Sequence, residues 1–422
     1  MVLRCGERGM RMSGRPGFAR LWAGQTASVF GTSISALALP TVAILGMHAP
    51  PFLVGVLEAA QFAAFPVLGL FAGVWVDRWS RRRTMLAADV VRGLALCTVP
   101  LAAYANALSF AQLVAVAIVV GTASVFFDIA YQAFVPSLVE PGWLEHANAR
   151  LEASNSVAML AGSGIAGGLI GALGAPLAIA VDAGTYAVSA TALAGIRVRE
   201  AHHDARGRAE PIAFGAAMRE GLATVFGSPV LRALVGATGC VNFGWSIIAA
   251  VYLLFFYRVL HFSPALVGAV VACGNLGFIG ALAAPAIGRR FAAGRVMTVT
   301  LLGAVAATFA IPLATTLQPV AVIVTVQVVA AICIPMYNVT QLSLRQRLVP
   351  AEQLGRVNAT MKTVVAGVWP AGALIGGALG STVGIVPAIW TGAIVMLAGI
   401  PWLFAREIRT LGAAPANDAA AA

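Results

Sequence analysis

Lysine is almost missing from this chain. Of its 27 basic residues only Lys362 is a lysine; the rest are arginine. Acids are scarce too, at 16 Asp and Glu in 422 residues, and charged residues make up 10%. A water-soluble domain carries about 25%, so a soluble globule is excluded. The five histidines are His48, His146, His202, His203 and His261. All fall in loops or at the ends of apolar runs, and they form no convergent set of the kind an intramembrane enzyme needs. The five cysteines, Cys5, Cys97, Cys240, Cys273 and Cys333, are scattered, mostly inside apolar runs. None has metal-ligand spacing, and no disulfide framework is expected. No nucleotide-binding Gly-Lys motif is present, so ATP is not the expected energy source. No catalytic residue, cofactor or metal site is predicted. The first twenty residues are a basic arm without an apolar core, so no cleavable signal peptide is expected.

What the chain has instead is apolar length. Hydrophobic residues make up 60%, and the mean hydropathy is +0.89. About 20 apolar residues at 1.5 Å rise cross a bilayer. Runs of that length occupy 20–45, 52–75, 84–104, 108–134, 148–174, 176–196, 231–257, 264–288, 296–317, 319–344, 356–380 and 383–405. The fold class predicted is an all-α membrane protein of twelve spans. The net charge of +11 would by itself suggest nucleic acid, but the arginines sit between the runs rather than on one face. The lipid bilayer is the partner expected, and nucleic acid is not.

Arginine also orients the spans. With the N-terminus in the cytoplasm, Arg4, Arg8, Arg11, Arg15, Arg20, the 78–83 cluster, the 197–219 set, Arg289, Arg290, Arg295, Arg345, Arg347, Arg356, Arg406 and Arg409 all lie inside. Among the outer loops only Arg258 stands outside. This asymmetry follows the positive-inside rule and puts both termini in the cytoplasm.

The chain repeats itself at an offset near 210. Pro51-x-Leu53-Val54-Gly55 returns as Pro264-x-Leu266-Val267-Gly268. Leu138-Val139, Leu144 and Asn148-Ala149 return as Leu348-Val349, Leu354 and Asn358-Ala359. Gly69…Asp77-Arg78 returns as Gly280…Gly288-Arg289, with the Asp lost. Two six-helix halves in parallel repeat are a transporter architecture, with the cargo site near the midplane between them. The division expected is an N-terminal half with its basic arm over 1–196 and a cytoplasmic linker over 197–229. A C-terminal half then covers 230–405, and a cytoplasmic tail 406–422. Within the linker, Ile212, Phe214, Met218, Leu222 and Val225 fall at helical spacing, which suits a short helix on the inner face or an ordinary linker turn.

The loop between the second and third runs reads Gly69–Arg83, GLFAGVWVDRWSRRR. Its Gly-x-x-x-Asp-Arg-x-x-Arg-Arg pattern, Gly73, Asp77, Arg78, Arg81 and Arg82, resembles the loop signature of the major facilitator superfamily. Ala38–Pro40 (ALP), Val125–Asp128 (VFFD), Asn148–Glu152 (NARLE) and Asp182–Ala190 (DAGTYAVSA) extend the resemblance over 18–405. It points to a bacterial branch similar to macrolide-efflux and enterobactin-exporter-like proteins. The resemblance implies the major facilitator fold and a cytoplasmic gate. Gly73, Asp77, Arg78, Arg81, Arg82, Asp89, Arg92 and Asp128 are its expected members, a single charge cluster at the inner face of the N-terminal half. Asp89 and Arg92 stand at i,i+3 and can pair. In related transporters the loop Asp faces the start of the eleventh helix, whose positive dipole end would attract it.

Ionisable groups inside spans are costly and need a reason. Glu58 lies about two turns into the second run, with no cation near it in sequence. A lone carboxyl in a poorly solvated cavity can take up and release a proton, which makes Glu58 the proton-coupling candidate. The bland alternative is a carboxyl hydrogen-bonded to a neighbouring helix. Asp182 is read as structural. Lys362 is read as snorkelling to the cytoplasm, the alternative being a counter-charge to cargo. The fifth run carries Gly162-x-Gly164-x-x-Gly167-Gly168-x-x-Gly171, which allows close helix approach. It is similar to a motif of drug/proton antiporters, but Ser163 stands where Gly-Pro is usual. Gln25, Gln61, Asn155, Asn242, Trp245, Asn275, Gln327, Asn338 and Trp369 are the substrate-cavity candidates, with Tyr337 and Gln341 beside them. As a set they suit an amphiphilic cargo.

The expected function is a secondary active transporter of the bacterial inner membrane, a monomer. It exports a small amphiphilic molecule by alternating access, by proton antiport. A siderophore or metabolite exporter, or an uptake permease, is the alternative. An intramembrane enzyme or a non-transporting receptor is more remote.

Overall fold

The computed structural model describes residues 16–197 and 222–404. At a few helical positions within them, Gly73 and Asp77 among these, only the backbone is described. The N-terminal arm up to Arg15, the linker residues Ile212, Phe214 and Met218, and the tail lie outside the described residues.

Twelve helices among the described residues are long and apolar enough to cross a membrane. In the first half they are α1 (Pro16–Gly46), α2 (Pro51–Arg78), α3 (Arg81–Tyr104), α4 (Phe110–Ser137), α5 (Leu144–Leu173) and α6 (Ala175–Ala194). In the second half they are α7 (Pro229–Val259), α8 (Pro264–Gly288), α9 (Ala293–Thr315), α10 (Pro319–Leu348), α11 (Ala351–Thr382) and α12 (Ile385–Leu403). No strand occurs among the described residues. The chain is thus an all-α membrane protein of two six-helix halves.

Local chemistry sets where the helices begin. Ser80, Ser109, Ser228 and Ser263 each accept a bond from a backbone N–H three residues on, the usual N-cap arrangement. Pro51, Pro229, Pro264 and Pro319 open their helices, where the missing N–H costs nothing. Gly174 and Gly384 sit at φ +83° and +104°. That conformation suits glycine and lets α5 turn into α6, and α11 into α12, across a very short seam.

The repeat read from sequence extends to backbone geometry. Both α1 and α7 end in a wider π-turn, Val42–Gly46 and Phe255–Val259. Each is followed by a histidine in the left-handed region, His48 at φ 52° and His261 at φ 53°. Each then enters the Pro-x-Leu-Val-Gly segment.

The spans are more interrupted than the apolar runs suggested. The run 264–288, expected as one helix, breaks at a 3-10 turn, Asn275–Gly277. Gly274 and Gly277 flank the break, and glycine is a poor helix former. Residues 222–227 of the linker are helical, and Val225 is buried.

In the first half α1 packs on α5 and α6, α3 on α4 and α6, and α2 on α4. In the second, α7 packs on α11 and α12, and α10 on α8 and α9. The halves meet chiefly where α2 crosses α11 and α5 crosses α8. Lipid offers no hydrophobic drive to bring helices together, so close packing of small residues must do it.

Candidate functional site

At each crossing between the halves, two glycines face each other. A Cβ on Gly55 would fall 2.5 Å from the Ala373 carbonyl oxygen and 2.8 Å from Gly377 Cα. A Cβ on Gly167 would fall 2.5 Å from the Pro264 carbonyl oxygen and 2.7 Å from Gly268 Cα. Gly55 and Gly268 are equivalent positions of the repeated Pro-x-Leu-Val-Gly segment. The segment is therefore the place where each half touches the other. Phe52 N–H donates to Ser381 Oγ (2.8 Å), and Thr41 and Tyr257 share a buried hydroxyl bond (3.1 Å). Arg258, the one arginine expected outside, donates to the Ala49 carbonyl at 2.8 Å. Together these contacts close the end of the molecule opposite the arginine-rich loops.

Below the seal the contact between α5 and α8 ends. The first piece of α8, Pro264–Gly274, packs on both α5 and α10, whereas the second, Phe278–Gly288, packs on α10. Asn275 stands where the α5 contact ends. Its Nδ2 donates to the Met159 carbonyl (2.7 Å) and to Ser163 Oγ (2.9 Å) on α5. Expected as a cavity residue, Asn275 is also a clasp between the halves.

Beneath the seal lie three cavities. The central one, about 570 Å³, is bounded by both halves. Gln61, Asn242 and Trp369 line it, with Phe62, Phe65, Asp128, Asp182, Tyr186 and Lys362. A second, about 470 Å³, lies within the C-terminal half and holds Asn242, Trp245, Asn275, Gln327 and Asn338, with Tyr337. A third, about 210 Å³, holds Gln25, Asn155 and Asp128 between α1, α4 and α5. The expected cavity set is thus shared among three spaces rather than gathered in one. Asn242 joins the first two and Asp128 joins the first and third.

Glu58 is half-buried on α2, one turn above Gln61, whose Nε2 lies 3.4 Å from it. The Trp369 indole of α11 lies beside the carboxyl, and Phe62 packs on the same indole with ring centroids 4.9 Å apart. Glu58 therefore sits at the α2–α11 crossing, just below the glycine seal. Lys362 does not leave the cavity. Its Nζ stands 4.8 Å from the Phe65 ring centroid, across the interface between the halves. Asp128 is exposed to the cavity, within electrostatic reach of Lys362 and Arg92.

Two sets of contacts are described among the members of the charge cluster expected at the inner face. Arg92 pairs with Asp89 inside the N-terminal half, both almost wholly buried. The guanidinium lies between the Phe127 and Tyr186 rings, 4.3 and 4.4 Å from their centroids. The pair lies among α3, α4 and α6 of the N-terminal half. The loop arginines make the second set. Arg81 donates to the Ala133 carbonyl (2.9 Å), and Arg82 to the carbonyls of Leu193 (2.8 Å) and Ala194 (2.5 Å). They cap the C-terminal ends of α4 and α6, where exposed carbonyls favour cations. Arg78 is exposed. Gly73 and Asp77 lie on α2, and the Asp77 side chain is outside the described residues.

Asp182, read as structural, does bond Thr185 Oγ1 (3.1 Å), yet it also borders the central cavity. Thr32, Ser35 and Tyr186 line the same wall and were not in the expected set. Hydroxyls are frequent in membrane helices, and only the packing of α1 on α6 singles these out.

Two six-helix halves that meet at glycine crossings and enclose a mostly apolar cavity with a few polar and charged groups between them are the architecture of a membrane transporter. The family model of the Major Facilitator Superfamily matches residues 21–373, and the chain belongs to that superfamily. It is similar to a protein called multidrug efflux pump Tap in Mycobacterium tuberculosis and Mycobacterium bovis. Identity is 27% over 434 residues, covering 97% of this chain and 98% of the relative. Among solved structures, the nucleoside transporter NupG superposes with a TM-score of 0.69 at 12% identity, covering 92% of this chain and 98% of that one. A bacterial homologue of the iron transporter ferroportin, in an inward-facing state, superposes with a TM-score of 0.71 at 15% identity, again covering 92% and 98%. At such identities the likeness is one of fold.

Proposed function

We propose that the protein exports a small amphiphilic molecule across the bacterial inner membrane by proton antiport, with both termini and the arginine-rich loops in the cytoplasm. The observation that carries this reading is the cavity between the halves, closed at the end opposite the arginines. Its walls are mostly apolar, with a few polar groups and both signs of charge. Such a space takes an amphiphilic cargo from the cytoplasmic side. The likeness to a multidrug efflux pump favours export over uptake. Arginine asymmetry supports the orientation.

Glu58 is the proton carrier in this scheme. It stands where α2 meets α11, so a change in its charge acts on the contact that must open for release. Trp369 and Phe62 limit its access to water. Asp77 and Arg78 remain the proposed cytoplasmic gate, closing when the cavity turns outward.

The test uses everted membrane vesicles carrying the full chain. Ethidium uptake is followed as a pH gradient, acid inside, is imposed. Wild type accumulates the dye in step with the gradient. Glu58→Gln, nearly isosteric, loses gradient-driven accumulation but keeps dye counterflow. If Glu58→Gln follows the gradient as wild type does, Glu58 is not the carrier and Asp128 becomes the candidate. If wild type moves no amphiphile in either direction, the export reading itself fails.

A further inference from the structure

A large cleft lies apart from the central cavity. It measures about 980 Å³ and is formed by the N-terminal half alone, where α4 floors the gap between α2 and α3. None of the described residues that line it also lines the central cavity. One end is cationic. Arg78 and Arg83 are exposed there, Arg82 stands beside them, and the N-terminus of α3 opens at Ser80. No acidic side chain is among the described residues that line it. The other end is apolar and open, with Val91, Ile118 and Val119 each about two-fifths or more exposed. Between the two ends Trp79, 54% exposed, stacks against Phe126 and Trp75 at centroid distances of 6.0 and 6.4 Å.

We propose that this cleft is a binding site for an anionic phospholipid of the arginine-side leaflet. Arginines and a helix N-terminus suit a phosphate, and basic pockets between membrane helices bind anionic head groups. Charge accounts for that end alone. The apolar half requires something attached to the phosphate, and an acyl chain lying along Val91, Ile118 and Val119 supplies it. Indole rings prefer the head-group level, which is where Trp79 stands. A free phosphate satisfies the first end and leaves the second exposed to lipid. The occupant would hold the ends of α2 and α3 together beside the gate loop.

The experiment is native mass spectrometry of the full chain in detergent, titrated with phosphatidylglycerol or phosphatidylcholine of the same acyl chains. Wild type should retain phosphatidylglycerol more tightly. R78Q/R83Q should weaken it on the order of thirtyfold and leave phosphatidylcholine unchanged. Ala87, exposed on the cleft wall, gives the second variant. A87W should block the channel and release phosphatidylglycerol with every arginine in place. Undiminished binding in A87W overturns the site, even if R78Q/R83Q does not fold. Equal retention of the two lipids by wild type overturns it as well. So does competition by glycerol phosphate as strong as that of the whole lipid, which would mark a site for free phosphate.

Discussion

Gly167 and Gly168 are neighbours on α5, and alanine at each separates the seal from every other effect of the substitution. A Cβ on Gly167 falls 2.5 Å from the Pro264 carbonyl oxygen and 2.7 Å from Gly268 Cα. Both obstacles are backbone, so neither rotates away. A Cβ on Gly168 meets nothing within 4 Å. Helix propensity favours alanine over glycine by about 1 kcal/mol at both positions, so that contribution cancels in the comparison. Overpacking costs ~1–3 kcal/mol, and only Gly167→Ala incurs it. The overlap exists only while α5 and α8 are closed at this end. The cost therefore falls on one conformation and moves the equilibrium toward the other. An energy of that size corresponds to a roughly 5- to 150-fold change.

Ala49→Cys reports the shift. Ala49 is 4% exposed, and its carbonyl is held by Arg258 from the other half. In a background with the native cysteines replaced by serine, an impermeant maleimide applied from outside labels position 49 only when the seal opens. Gly167→Ala should raise the labelling rate at least about fivefold, and Gly168→Ala should leave it unchanged. Gly377→Ala, whose Cβ would fall 2.9 Å from both Gly55 Cα and the Pro51 carbonyl oxygen, should act as Gly167→Ala does. Equal labelling in the two α5 variants refutes the argument, because the backbone overlap would then carry no energy.

Asn275→Ala removes two hydrogen bonds between the halves, each worth about 0.5–1.5 kcal/mol. The same labelling assay should show faster modification of position 49; a wild-type rate means the clasp does not hold the closed state. Arg92→Lys should lower the stability of the detergent-purified protein by ~1–2 kcal/mol, read as a lower melting temperature. An ammonium cannot stack flat between Phe127 and Tyr186 while it bonds Asp89, and an unchanged melting temperature would show that the ring sandwich contributes nothing.

Span number, the two halves and the Asp89–Arg92 pairing were legible because each rests on a local pattern. Apolar length, the offset repeat and i,i+3 spacing need no knowledge of distant neighbours. What was not legible depends on which helix crosses which. Glycines 55, 167, 268 and 377 look alike in an Ala/Gly-rich chain, and only the crossings show that they touch. Lys362 was read as snorkelling because a lone lysine near a helix end usually does; Phe65, from the other half, gives it a partner inside the cavity. The loop arginines resembled a gate signature, and sequence could not show that Arg81 and Arg82 reach the last carbonyls of α4 and α6. Asn275 read as one polar cavity residue among many. The signal that could have marked it was present, since Gly274 and Gly277 bracket it and argue against a continuous helix.

The two crossings share a local sequence but differ in what lies beneath the glycines. Below Gly55 and Gly377, the α2–α11 side carries Glu58, Gln61, Trp369, Phe65 and Lys362. Below Gly167 and Gly268, the α5–α8 side carries Ser163 and Asn275, both neutral. Backbone contact of the glycine pairs is the same on both sides, so neither pair can make one crossing respond to protons and the other not. The side chains beneath must do that. A neutral amide clasp forms and breaks without regard to charge, whereas a carboxyl beside an indole changes its interactions when a proton arrives. If protons drive the cycle as proposed, they act first on the α2–α11 crossing. The α5–α8 crossing then follows through rigid rotation of the halves, with Asn275 at the level where α8 leaves α5.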